Sequence, residues 1–246
     1  MKVSIITATY NSSETISDCL KSLNVQNYKD IEHLVIDGAS RDETLNLVDS
    51  MKERKTKIIS EPDEGIYHAM NKGIVLSSGD IIGFLHSDDF FKEDDVLQKI
   101  TDRFLKGSPD IVYGDLFYVS KNNPEKVIRK WKSGEFNPKS LKYGWMPPHP
   151  AVFMKKEVYK EYGNFDLKYK ISSDYEHMVR IFKNRDLKIS YLPEVITCMK
   201  IGGASNRNLQ NIINKIKEDY DIIKRYNLAG PLTLSMKNLR KLNQFF

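Results

Sequence analysis

The chain has 246 residues, 40% hydrophobic and 11% aromatic, enough for one packed domain with or without a helical appendage. No apolar run approaches the ~20 residues that span a bilayer, residues 1–7 turn polar too soon for a secretory leader, and two cysteines build no disulfide framework. The net charge of +5 gathers late, in residues 121–160 and at Lys237, Arg240 and Lys241, as suits an anionic membrane or a phosphorylated substrate. No RNP, zinc-knuckle or helix-turn-helix pattern speaks for nucleic acid. A cytoplasmic protein with reduced thiols at Cys19 and Cys198 is expected.

Residues 3–9 form a β-branched run that reads as a buried parallel strand. Ser12 or Ser13 offers a helix cap, and Ile16, Cys19, Leu20 and Leu23 follow at helical spacing. A second strand over 31–36 ends at Asp37 and Gly38. A helix over 44–51, a strand over 57–60, a helix over 66–76 and a strand over 80–85 complete four alternations of strand and helix. That order predicts a mostly parallel sheet with helices on both faces.

Beyond residue 95 the pattern changes. A helix over 96–105 and a strand over 110–115 precede a hairpin of 117–119 with 127–131 around Asn122, Asn123 and Pro124. A Pro-rich loop over 145–150, a strand over 151–154 and a short helix closed by Gly163 follow. Then come a helix over 174–183, a strand over 188–192 and a mostly helical tail broken at Gly230 and Pro231. Residues 232–246 alternate Leu, Met and Phe with Lys and Arg, a basic amphipathic helix that either packs on the domain or meets an anionic membrane face.

Ligands of such sheets sit at the carboxyl ends of the strands. Thr9-Tyr10-Asn11, Asp37, Glu61-Pro62-Asp63 and Asp88-Asp89 should therefore share one edge. Paired acids at a strand end cap a turn in many proteins, but they also offer hard oxygen ligands to a divalent cation that can hold a diphosphate. Tyr10 can lie against a flat base, and Asp37 can accept a hydrogen bond from a base N–H. Asp174 opens a helix, where it can serve as a cap as well as a base. His149, between two prolines, can line a cleft. Gly202, Gly203, Ala204 and Ser205 could give N–H groups to a phosphate, with Lys72 and Arg207 in reserve.

These segments, in this order, resemble the family 2 glycosyltransferases with the GT-A fold, over roughly residues 1–205. Val3-Ser4-Ile5-Ile6-Thr7-Ala8-Thr9-Tyr10-Asn11 is similar to the opening strand and nucleotide loop. Val35-Ile36-Asp37-Gly38-Ala39-Ser40-Arg41-Asp42-Glu43-Thr44 is similar to the acidic loop beside the base. Residues 61–73 resemble a segment of polysaccharide-building members of the colanic-acid and O-antigen type. His86-Ser87-Asp88-Asp89 stands at the metal motif, with His86 where an acid is usual, and Ser172-Ser173-Asp174-Tyr175 stands at the catalytic base.

The resemblance implies an α/β GT-A fold with a Rossmann-like sheet, a small antiparallel acceptor-side portion and C-terminal helices. It divides the chain at 1–95, 96–205 and 206–246. It further implies nucleotide contacts at Thr9, Tyr10, Asn11, Asp37, Asn71 and Asp88, and Mn2+ or Mg2+ on Asp88 and Asp89. Asp174 would be the base and His149 an acceptor-side residue. The expected donor is a nucleotide-diphosphate sugar, UDP first, and the expected acceptor a saccharide, free or lipid-linked, at the inner face of the cell membrane. A sugar nucleotidyltransferase would instead show a Gly-rich loop with Arg and Lys after the first strand. A non-catalytic binding module would not need Asp174 and the acid pair.

Overall fold

The structure is a computed structural model; it describes residues 1–53, 56–201, 209–242 and 244. The first half follows the alternation: β1 (Val3–Thr9), α1 (Ile16–Asn24), β2 (Ile31–Asp37), α2 (Thr44–Met51), β3 (Thr56–Ser60), α3 (Ile66–Leu76) and β4 (Ile81–Phe84). β1 lies between β2 and β4, β3 flanks β2, and all three pairings are parallel. Every residue of β1 is buried. Val3 and Ile5 point into the core beneath α1 and α4 (Val96–Leu105), while Ile6 and Ala8 point into the opposite core beneath α3. Both faces are covered, which is why the strand reads as a continuous apolar run instead of an alternating one.

Close approach of α3 to β1 depends on Gly73. A Cβ there would run into the Ile6 side chain. Gly73→Ala is therefore expected to destabilise the protein by about 1–3 kcal/mol, the usual cost of overpacking, read as a lower denaturant midpoint.

The second half is mixed. β5 (Asp89–Phe91), β6 (Ile111–Val119), β7 (Val127–Trp131), β8 (Val152–Lys155) and β9 (Ile189–Lys200) extend the sheet in the order β3-β2-β1-β4-β8-β6-β9-β5, with β7 on β6. β8 runs antiparallel to both β4 and β6. On a flat sheet, β5 would lie four ladder steps from β4, roughly 19 Å. Only residues 85–88 join the two strands, and five residue steps reach at most about 17 Å. The sheet must curl, bringing β5 and β9 back over the end of β4.

Several boundaries differ from the sequence reading, each for a local reason. β6 runs nine residues, so the first arm of the expected hairpin is the end of β6 itself. β9 continues to Lys200 because a register shift between Tyr113 and Asp115 absorbs Pro193 and Glu194. α1 starts at Thr15 with no side-chain cap; the Ser12 carbonyl, not a serine hydroxyl, takes the N–H groups of Thr15 and Ile16. The remaining helices are α5 (Lys156–Tyr162), α6 (Ser173–Phe182), α7 (Leu209–Arg225) and α8 (Pro231–Leu242).

α8 packs on the domain. The Thr233 hydroxyl donates to the Lys142 carbonyl at 2.8 Å, Arg240 Nε to the Tyr143 carbonyl at 2.9 Å, and Lys237 pairs with Asp219 of α7 at 2.7 Å. Both cysteines are buried free thiols, and burial pushes each up to about 12. Among the described residues, no helix is long and apolar enough to cross a membrane.

Candidate functional site

The parallel register sets Thr9, Asp37 and Ser60 side by side at the carboxyl ends of β1, β2 and β3. The loops that follow are tied together. Asn11 and Ala39 both take positive φ, at 48° and 61°. The Asn11 N–H donates to Ser40 Oγ, and Asn11 Oδ1 accepts from the Arg41 N–H, each at 2.8 Å. Asn11 thus shapes the rim from within, a task its tolerance of left-handed backbone suits.

Tyr10 is 60% exposed at this rim. A Cβ on Gly38 would lie 3.3 Å from the Tyr10 ring and 3.6 Å from Asp63 Oδ2. The glycine therefore lets the Tyr10 ring and the Asp63 carboxylate come close over the end of β2. Thr9 Oγ1 is buried beside it with no hydrogen-bond partner among the described residues.

Two expected nucleotide contacts also hold the protein's own loops. Asp37 is 0% exposed and its carboxylate accepts from the Ser40 N–H and hydroxyl and from the Ser60 hydroxyl at 2.6 Å. It thereby orders the loop after β2, and the Asp63 carboxylate also borders the Tyr10 ring across Gly38. Asn71 gives its amide to both polar groups of Phe165, donating to the carbonyl and accepting from the N–H at 2.9 Å each. It braces that loop. Lys72, a reserve phosphate contact on sequence, is taken up by Glu61 and Asp63, each at 2.7 Å. Gly202, Gly203, Ala204, Ser205 and Arg207 lie outside the described residues.

The acid pair divides in two. Asp88 is half-buried, in the turn after β4, and that turn is tied to the Tyr10 loop by Ser87 Oγ and Ser12 Oγ at 2.9 Å. Asp89 enters β5, pairs with Met199 of β9 and is 0% exposed. Neither of its carboxylate oxygens has a hydrogen-bond partner among the described residues. Burial, reinforced by the Asp88 charge, pushes the Asp89 carboxyl well above the usual carboxylate range. A buried carboxylate without a partner costs free energy unless a cation answers it.

Among the described residues, no three His, Cys, Asp or Glu side chains come together as a metal cage. One accessible carboxylate with an unsatisfied one behind it fits an ion of the Mg2+ or Mn2+ type. Such an ion keeps waters and takes its other ligands from a diphosphate. Burial also lowers the His86 imidazole, against the charges of Asp88 and Asp174.

Asp174 lies in the first turn of α6 and lines a cleft of about 760 Å³ together with His149 and Lys200. Two residues that sequence reasoning gave no role hold it there. Tyr67 of α3 places its hydroxyl 3.0 Å from Asp174 Oδ1 and 2.8 Å from the Ile171 carbonyl. Burial and the Asp174 charge raise the Tyr67 phenol well above its ordinary value, so it remains a donor. Glu218 of α7 accepts from the N–H groups of Lys170, Ile171 and Ser172 at 3.0, 2.9 and 2.8 Å. Tyr67 is visible in the sequence as an aromatic in the resembling segment; Glu218 carries no local signal, because its partners lie nearly fifty residues away. Glu218→Ala is expected to cost about 1.5–3 kcal/mol of stability, the range for hydrogen bonds to a charged group. It should also lower turnover by up to about 10²-fold through displacement of Asp174. Glu218→Gln, which keeps an acceptor, should recover part of both.

His149 belongs to a short 3-10 turn and sits in a buried aromatic group. Its ring centroid lies 5.0 Å from Phe84, 5.9 Å from His86 and 5.3 Å from Phe165. His177 packs at 4.5 Å on the other side of Phe165. Burial lowers His149 to about 3 and His177 well below its ordinary value. With folded values below the unfolded ~6.5, the unfolded chain takes the protons first. These imidazoles therefore remove stability as pH falls from about 6.5 toward 3, while Asp89, shifted the other way, partly offsets the loss. The Tm should drop between pH 7 and pH 5, and His177→Phe should flatten that drop. An equal drop in the variant would contradict the assignment.

The Glycosyl transferase family 2 model matches residues 4–179, and the chain belongs to that family. It is 32% identical over 209 residues to a PGL/p-HBAD biosynthesis glycosyltransferase of Mycobacterium bovis, spanning 82% of this chain and 78% of that protein. It is 29% identical over 242 residues to an uncharacterized glycosyltransferase of Mycobacterium tuberculosis, spanning 93% and 86%.

Among solved structures, S. aureus TarS 1–349 in complex with UDP-GlcNAc superposes with a TM-score of 0.71 at 18% identity, covering 99% of this chain and 72% of that one. The mannosyltransferase PcManGT of Pyrobaculum calidifontis, in complex with GDP-Man and Mn2+, gives 0.67 at 16%, covering 98% and 69%. The fold is GT-A.

Proposed function

We propose that this family 2 glycosyltransferase is metal-dependent and inverting. In this reading it moves a hexosyl or N-acetylhexosaminyl group from a UDP-sugar to a saccharide acceptor, lipid-linked, in bacterial surface polysaccharide or envelope glycolipid synthesis. The observation that carries the reading is the position of His86, two residues before Asp88 on the donor edge, with its ring stacked 5.9 Å from that of His149, which lines the cleft with Asp174. Donor and acceptor chemistry thus meet at one point.

Residues 1–95 supply the donor half, 96–205 the acceptor half, and 206–246 the helical extension. Tyr10 stacks on the base, Asp63 reads its edge, and Thr9 offers a hydroxyl. Asp174 accepts the proton of the acceptor hydroxyl as that oxygen attacks the anomeric carbon, and the bond to the diphosphate breaks on the opposite face. As the one carboxylate lining the cleft among the described residues, it fits a single displacement without an enzyme nucleophile. Mn2+ or Mg2+ on Asp88, with Asp89 behind it, would neutralise the departing diphosphate. Exposed Leu232, Leu239 and Leu242 beside the Lys and Arg of α8 support attachment to an anionic membrane face.

Incubation with UDP-, GDP- and dTDP-sugars, with Mn2+ or with EDTA, tests the reading through nucleoside diphosphate release. Release from a UDP-sugar that needs Mn2+ is expected. Release unaffected by EDTA would remove the metal; no release from any donor would remove the activity.

A further inference from the structure

The cleft beside Asp174 carries far more positive charge than transfer to a neutral sugar requires. Eight lysine and arginine side chains line it against the single carboxylate of Asp174, among the described residues. Lys215 of α7, Lys237, Arg240 and Lys241 of α8, and Arg129 and Lys132 in and just after β7 make up its cationic wall. Lys237 is 6% exposed, paired with Asp219 at 2.7 Å and seated 3.4 Å over the Tyr175 ring. Asp219 answers one of these charges and Asp18, 2.5 Å from Lys200, a second. Burial, and after it the charges of Lys215 and Lys237, brings Lys241 down to about 8. Holding like charges this close in a half-buried cleft is unfavourable until an anion enters it.

The residues assigned to the donor lie outside this cleft. Tyr10, Asp63 and Asp88 mark the donor edge, and none of them lines this cleft. Lys237, in contrast, lines the cleft with Asp174 and sits over the ring of Tyr175, the next residue, which places the cationic wall near the proposed base.

Resting on the glycosyltransferase reading, we infer that this wall binds a phosphate or diphosphate carried by the acceptor, adjoining the sugar that is extended. Lys215 and Lys241 grip the phosphate oxygens, Lys237 backs them, and Trp131 and Trp145 supply apolar faces for the sugar. The same chemistry could come from a lipid diphosphate headgroup or from a phosphodiester polymer.

Both tryptophans of the chain line the cleft, so their fluorescence reports its occupancy. Farnesyl diphosphate and a glycerol-phosphate oligomer serve as the two anionic probes, and farnesol and a neutral malto-oligosaccharide as controls. Binding is measured on the full chain with metal absent. At least one anionic probe should bind, more weakly at high salt, with the controls at least tenfold weaker. Lys215→Ala with Lys241→Ala should weaken that binding at least tenfold, Lys241→Arg should retain it, and Tyr10→Ala should leave it unchanged.

Preference for farnesyl diphosphate identifies a lipid headgroup; preference for the oligomer identifies a polymer. Equal binding of the neutral oligosaccharide, indifference to the lysine pair, or loss with Tyr10→Ala would each overturn the inference. Nucleoside diphosphate release, assayed separately, reports the underlying reading: without release but with lysine-dependent binding, that reading fails and the phosphate site stands.

Discussion

Asp174→Asn is expected to lower turnover by about 10²–10⁴-fold, the usual contribution of a general base. The amide keeps the size of the side chain and an oxygen within reach of the Tyr67 hydroxyl, so α6 and its cleft should remain in place. It cannot accept the proton of the attacking hydroxyl. Binding of the donor should be unchanged, because Asp174 lines the acceptor cleft while Tyr10, Asp63 and Asp88 surround the donor edge. The measurement is a kcat and donor KM comparison with the purified variant. A variant that turns over at the wild-type rate would remove Asp174 from the mechanism.

Asp88→Asn should lower kcat/KM by about 10²–10³-fold, since an ion at the leaving diphosphate contributes several kcal/mol. Its dependence on Mn2+ should move to higher concentration. Asp89 separates from its neighbour in this test. Its carboxyl is fully buried and unpartnered, so ionising it opposes folding; Asp89→Asn removes that cost and should raise the Tm of the metal-free protein, most at alkaline pH. Asp88→Asn, at a half-buried position, should leave that Tm nearly unchanged. Equal thermal shifts in the two variants would mean that the acids act as one unit.

The parallel half of the fold was legible because its signals are local. β1, α3 and the strand ends at Asp37 and Asp88 follow from β-branched runs, helical spacing and turn residues within a dozen positions. The convergence of Thr9, Tyr10, Asp37 and Asp63 on one edge follows from the parallel order. What the sequence could not show depends on distant partners. Asp89 reads as the second half of an acid pair until the curl of the sheet places it in β5 against Met199. Asp37 and Asn71 read as ligand contacts, and nothing local shows that Ser40, Ser60 and Phe165 also hold their polar atoms. Glu218 is an ordinary helix-surface acid until α7 is laid beside the start of α6. The late surplus of charge was visible, at residues 121–160 and at Lys237, Arg240 and Lys241, but not that β7, α7 and α8 gather it into one cleft.

Proton NMR of the sugar first released from an α-linked UDP-sugar tests the central claim most directly, because it reports the geometry of displacement whatever the natural acceptor is. With Mn2+ present and water standing in for the acceptor, the β-anomer should appear first and then mutarotate. An α-anomer appearing first would contradict a single displacement assisted by Asp174.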